Sequence, residues 1–228
     1  GVGLVPLADV DLAVAEAEHA AALGLVGVLA RPNHLYGRNL GDPYYDPLHA
    51  ALADAGLVLS VHEGLGLRGA TIGADRFTGF TARHLLSHPM EQMAAMASLV
   101  LGGALARHPD LRVAFLESGT GWLPYWLHRL DEHQEWMDPD AERASELFAR
   151  QCVISTEADD ALTGSVIEHV GADHVLWASD FPHPDALFPD AATTFVAEAR
   201  AQGISDADLA TVLWDAPLAF YALSERFT

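Results

Sequence analysis

Short apolar runs alternate with longer segments of helical period along almost the whole chain, the pattern of strand–helix units joined by crossovers. Residues 4–7 read as a first short strand. Asp9 or Asp11 can cap the helix that follows to about Leu23, and Gly24 stands where a left-handed terminator belongs. Residues 25–30 form a second strand, and a Pro/Gly/Asn-rich loop leads to a helix opened by Asp46-Pro47 and closed by Gly56. Residues 57–61 are a third strand. The loop after it, residues 63–87, is long and glycine-rich enough to serve as a lid or wall over a site. His88-Pro89 is then expected to open a long apolar helix, ahead of a strand at residues 111–116. Helices from about Trp122 and about Glu142 lead to a strand at residues 152–155. Asp160 can cap a helix ending near Gly171, and residues 175–178 are the last strand. Two helices close the chain, the second opened by Asp215-Ala216-Pro217.

Strand–helix units running in one direction make a parallel sheet with right-handed crossovers, either doubly wound or closed into a barrel. No Gly-x-Gly-x-x-Gly turn follows a strand and no phosphate loop occurs, which weighs against a nucleotide-binding sheet. The expectation is an α/β fold of the (β/α)8 TIM-barrel type. Such a barrel takes about 250 residues, and this chain of 228 opens on Gly1-Val2-Gly3 with neither Met nor a signal-peptide pattern. It therefore reads as a single barrel domain over residues 1–228, N-terminally incomplete, with about six of eight units present.

Composition narrows the partners. Lys and Arg total 12 against 32 Asp and Glu, a formal charge of −20, which repels nucleic acid and anionic membranes alike. No run approaches the roughly 18 apolar residues of a membrane span. The only cysteine, Cys152, excludes an internal disulfide framework and suits a reducing cytoplasm. A small-molecule substrate is the partner expected, with homo-oligomerisation left open.

The strand ends carry the chemistry, because in a parallel barrel the carboxyl end of every strand feeds one face. "LVLSVHEG" ends in His62-Glu63, "LRVAFLESG" in Glu117-Ser118-Gly119, and "VLWASDFPH" in Ser179-Asp180-Phe181-Pro182-His183. Imidazole and carboxylate from three strands suit one divalent metal, with zinc first and manganese or iron as alternatives, and the lack of thiolates argues against a closed structural site. An open position on such a metal would hold a water of lowered pKa.

"LVLSVHEG", "HPDLRVAFLESGTGWLPYWLHRLDE", "LWASDFPHPD" and "LWDAPLAFYAL" together resemble the amidohydrolase-related family, the aminocarboxymuconate semialdehyde decarboxylase-like branch of the amidohydrolase superfamily. The resemblance implies a metal-dependent barrel that hydrolyses C–N bonds or decarboxylates unsaturated and aromatic acids. It makes His62 similar to the metal-binding His of the fifth strand and Asp180 similar to the eighth-strand Asp, which touches the metal and handles the proton of its water. Two departures stand out. No segment before Leu4 supplies the acid/His motif with which the family begins, and Glu117 stands where many members have a His, which makes it a further metal ligand or a polariser of water.

Other residues carry two readings each. His88 either reaches substrate or caps its helix. His183 lines the pocket or stiffens a loop between Pro182 and Pro184. Trp122 touches ligand or packs. Arg31 and Asn33, followed by His34 and Arg38, hold a substrate carboxylate or are ordinary loop polarity. Glu63 faces solvent or braces a loop. Met90, Met93 and Met96 are a packing face, and His19, His49, His108, His128, His133 and His169 read as surface. The activity expected first is hydrolysis of a C–N or related bond, with Asp180 taking a proton from the bound water and returning it to the leaving group. Non-oxidative decarboxylation of an unsaturated or aromatic acid, a catalytically silent truncated barrel and iron-based oxygen chemistry are the alternatives.

Overall fold

A computed structural model describes residues 1–64, 71–73 and 75–223. Its strands form one parallel sheet in strictly sequential order. Chain order runs β1 Val2–Leu4, α1 Val10–Ala22, β2 Gly27–Ala30, α2 Asp46–Ala55, β3 Val58–His62, α3 Phe80–Leu101, α4 Ala104–Arg107, β4 Arg112–Leu116, α5 Leu123–Met137, α6 Ala144–Gln151, β5 Cys152–Thr156, α7 Thr163–Val170 and β6 Val175–Trp177. It closes with α8 Ala191–Ala201, α9 Asp206–Ala210 and α10 Ala216–Phe220. A doubly wound sheet reverses strand order at a switch point. The order β1 to β6 has no reversal, which is the winding of six successive units of a (β/α)8 barrel.

Side chains alternate across the sheet. The outward set, including Leu59, Val61, Phe115 and Ile154, packs against the helices in the main core with Leu48, Leu99 and Phe195. The inward set is smaller, with Val58, Ala114, Val153 and Leu176 meeting Ala216, Phe220 and Tyr221 of the C-terminal helix. Gly27 is required where β2 meets β3, since a Cβ there would come within 2.5 Å of Val58 O.

Several elements depart from the sequence expectation. The first strand is residues 2–4, not 4–7, because it pairs Val2 with Gly27 and must end before Pro6, which has no N–H for a ladder. The third helix begins at Phe80, so His88-Pro89 lies inside it rather than opening it. Pro89 has no N–H for the Leu85 carbonyl, and Ser87 Oγ donates to His84 O in the turn just before it. Asp160 does not cap α7 itself: its Oδ1 accepts from Leu162 N and its Oδ2 from Thr120 N and Oγ1. The closing helices are continuous over residues 206–220 through a π turn, Thr211–Asp215, just ahead of Pro217.

His49 is a correction of another kind. It reads as surface in sequence, yet it is only 1% exposed. Tyr45, Leu48, His49 and Leu52 are all buried at helical spacing, so the ring belongs to the packed stripe of α2. Burial, with His108 nearby, holds its pKa down to about 4.

Phe115 is fully buried between β4 and the helices. Phe115→Ala should cost about 3–5 kcal/mol, read as a lower denaturant midpoint with the slope unchanged. A loss below about 1 kcal/mol would mean that the outer core closes over the gap.

Candidate active site

Val58, Ser60 and His62 share the inward face of β3, and the register sets His62 beside Leu116, the residue before Glu117. The His62 Nδ1–H donates to Glu63 O at 2.8 Å, which leaves Nε2 for Glu117 Oε2, 2.5 Å away. Glu117 also receives the histidines around it: His183 Nδ1 lies 3.6 Å and His88 Nε2 3.8 Å from its Oε1. Asp180 Oδ1 lies 2.7 Å from His183 Nδ1. Glu117, Asp180 and His183 each bring one ligand atom within 4.8 Å of the other two. His62 and Asp180 thus meet through Glu117.

Both carboxylates sit on unusual backbone. Glu117 has φ 53° and Asp180 φ 55°, two of only four non-glycine residues at positive φ among the described residues. Such conformations cost about 1–2 kcal/mol and persist where neighbours hold them. Ser155 Oγ accepts from Glu117 N at 3.0 Å, and Asp160 ties down Thr120 in the same turn. Gln92, fully buried on α3, donates from Nε2 to Val61 O at 2.8 Å and Leu116 O at 2.9 Å. One amide therefore fixes the two strand ends that carry His62 and Glu117.

The electrostatics follow from the crowding. The His62 pKa is raised, chiefly by its hydrogen bond to Glu117. Burial alone would raise Glu117, but His62, helped by His88 and His183, brings it below the usual carboxylate value. Asp180 is raised by burial and then by Glu117. His88 is lowered by burial and by His84. Glu157, which follows β5, is pushed up to about 7 by burial and then by Asp180 and Glu117. Glu157 and Asp180 border one acidic hollow of about 150 Å³. Sequence reasoning overlooked Glu157, although the rule that found the other strand ends applies to it equally.

A cleft of about 910 Å³ opens over His62, Glu117 and His183. One wall comes from α3, where Phe80, His84 and His88 recur every fourth residue, with ring centroids 5.4 Å and 4.4 Å apart along the row. His84 falls in the stretch that the sequence pattern assigns to a loop, whereas the structure makes it part of α3. The lid expected over residues 63–87 is in part this helix; residues 65–70 and 74 lie outside the described residues.

Of the remaining predicted residues, Glu63 lines this cleft, whereas Arg31, Asn33 and Trp122 do not. Arg31 Nη2 pairs with Glu63 Oε1 at 2.8 Å. Glu63 is 1% exposed, so it braces rather than faces solvent. Arg31 and Asn33 border a separate hollow of about 350 Å³ beside Leu4 and Leu29. Trp122 donates its Nε1–H to Ser118 Oγ at 3.3 Å and lies edge-on to Phe115. No described helix is long and apolar enough to cross a membrane.

Comparison with known proteins gives a consistent picture. Residues 1–223 match the family described as Amidohydrolase. A curated relative, 2-amino-3-carboxymuconate-6-semialdehyde decarboxylase of Dictyostelium discoideum, is 26% identical over 191 residues, covering 81% of this chain and 51% of its own length. The chain thus spans about half of that relative. An amidohydrolase from Mycobacterium avium subsp. paratuberculosis K-10 superposes with a TM-score of 0.84 at 27% identity, covering 96% of this chain and 57% of that one. The fold is shared with a dihydroxybenzoic acid decarboxylase from Polaromonas sp. JS666, which holds manganese and the inhibitor 2-nitroresorcinol. Its TM-score is 0.72 at 20% identity, over 98% of this chain and 69% of that one.

Replacing Gln92 by Leu removes the donor to both strand-end carbonyls. The expected loss is about 2–4 kcal/mol for two buried acceptors, together with weaker divalent-metal retention in dialysis. Retention equal to wild type would show that His62 and Glu117 keep their positions without the amide.

Proposed function

This chain belongs to the amidohydrolase family, and from that premise we propose that its cleft serves a metal-dependent decarboxylase acting on an unsaturated or aromatic carboxylic acid. The sequence reading ranked C–N hydrolysis first. The curated relative is a decarboxylase, which favours the alternative. The observation that carries the reading is the meeting of His62, Glu117, Asp180 and His183 beneath a cleft walled by a row of planar rings.

The donor set fits a divalent metal. Two carboxylates and the His183 imidazole converge without a thiolate, and His62, its Nδ1 committed to a carbonyl, joins them through Glu117, a mixture that manganese, zinc and iron all accept. His62, Glu117, Asp180 and His183 would hold the ion, and manganese has the support of the decarboxylase fold relative. When bound, the ion supplies positive charge that draws an anionic substrate to the site and stabilises charge developing on its oxygens.

The protein's own groups divide the remaining work. Phe80, His84 and His88 offer a flat wall to a conjugated ring. In decarboxylation the bond to the carboxylate carbon breaks, carbon dioxide leaves, and the electron pair left on the substrate carbon takes a proton. Asp180, with its pKa raised by burial and by Glu117, is placed to carry that proton, and His183 Nδ1 holds its Oδ1 in place.

The test is direct. Manganese-loaded protein should release carbon dioxide from dihydroxybenzoate-type or muconate-type acids and, in heavy water, place deuterium on the vacated carbon. Ammonia release from amides without carbon dioxide from any acid would overturn the reading in favour of hydrolysis. His62→Ala and Asp180→Asn should each reduce turnover by roughly 10²–10⁴-fold with circular dichroism unchanged. Wild-type turnover in Asp180→Asn would remove that residue from proton transfer.

A further inference from the structure

A second cluster of metal-binding residue types lies among the outer helices, away from the strand-end cleft. Asp46 and His49 stand one turn apart on α2, and His108 directly follows α4. His108 Nε2 is 3.1 Å from Asp46 Oδ1, and His49 Nδ1 is 3.8 Å from the same oxygen. The two imidazole rings meet edge to face at 5.5 Å. One ligand atom from each residue lies within 4.8 Å of the other two.

The His49 ring makes this more than a surface charge network. The residue is 1% exposed, its Nδ1 has no hydrogen-bond partner, and that atom faces Asp46 at a distance too long for a hydrogen bond. A buried ring nitrogen that faces a carboxylate and a second imidazole, yet lies too far from the carboxylate for a hydrogen bond, calls for a partner. We propose that Asp46, His49 and His108 form a second divalent-metal site, of zinc type, which clamps α2 to the segment after α4.

The distances agree with that chemistry. Bonds of about 2.0–2.1 Å in a tetrahedral zinc site separate neighbouring donor atoms by about 3.3 Å. The observed 3.1 and 3.8 Å straddle this value, so small side-chain movements suffice. Two nitrogens and one oxygen favour zinc over calcium or magnesium, which take oxygen donors. Three protein ligands leave the fourth position to water.

Arg107 is the competing feature, because its Nε and Nη2 donate to the Asp46 carboxylate. Its Nη1 is held separately by Gly102 O, and its Nε reaches Oδ2 at 3.0 Å. Its Nη2 lies 2.8 Å from Oδ1, the oxygen that both imidazoles face, so loading an ion requires Nη2 to give up Oδ1 while Nε keeps Oδ2 and orients the carboxylate. Its positive charge weakens the site, which points to an exchangeable ion rather than one bound through purification.

The experiment uses full-length protein carrying His62→Ala and Asp180→Asn, which disables the strand-end cluster, stripped with chelator and dialysed against zinc. The expected result is one equivalent of zinc, a thermal midpoint that rises with zinc, and an X-ray absorption spectrum showing two imidazole nitrogens. Adding His108→Ala should abolish all three while circular dichroism stays native. Adding His49→Gln should do the same, and serves as the deciding variant if His108→Ala does not fold. No bound zinc in the first protein, or zinc unaffected by the additional substitution, overturns the proposal.

Discussion

Everything at the candidate site rests on the register of a parallel ladder. Once Val58 pairs with Arg112 and His62 with Leu116, the residue ending one strand and the residue following its neighbour must meet at one rim. The two-residue period then decides which side chains point inward. A shift of one residue would turn His62 towards the helices and bury Val61's side chain in the barrel interior. The outer core opposes such a slip, because Leu59, Val61, Phe115 and Ile154 must remain against the helices. Hydrophobic burial on one face of the sheet thus enforces polar convergence at its end.

That convergence is costly. A folded chain with a formal charge of −20 places Glu117, Asp180 and Glu157 in one neighbourhood, where burial first and neighbouring carboxylates second raise the pKa values of Asp180 and Glu157. Left-handed backbone at Glu117 and Asp180 adds strain. Histidines supply the local compensation, with His62 held most closely to Glu117. A divalent cation would relieve the same repulsion more completely. Strain and like charge gathered at one rim, with the rest of the sheet regular, is what pre-organisation of a charged site looks like in a static structure.

The helical shell holds a different kind of polarity. Gln92 and Asp160 are partnered and fasten strand ends and turns to neighbouring elements. Arg31 and Glu63 form a brace of the same sort. His49 is buried with an unpartnered ring nitrogen, as are Gln92 at Oε1 and Arg31 at Nε, but the His49 nitrogen faces two further metal-binding side chains.

Local pattern was sufficient for the winding of the fold and for three strand-end residues. Alternating strand and helix periods specify parallel units, and His62, Glu117 and Asp180 each stand within two residues of the end of an apolar run, so their placement needs only neighbouring residues. The same logic would have reached Glu157. Tertiary packing alone decided the rest. The start of α3 ahead of Pro89 and the row formed by His84 and His88 depend on a helix that survives a proline. The pairing of Arg31 with Glu63, of Gln92 with the ends of β3 and β4, and of His49 with His108 joins residues 24 to 59 positions apart. Periodicity reports which face of an element is buried; it carries no information on which distant side chain shares that burial, because that is set by how the helices settle on the sheet.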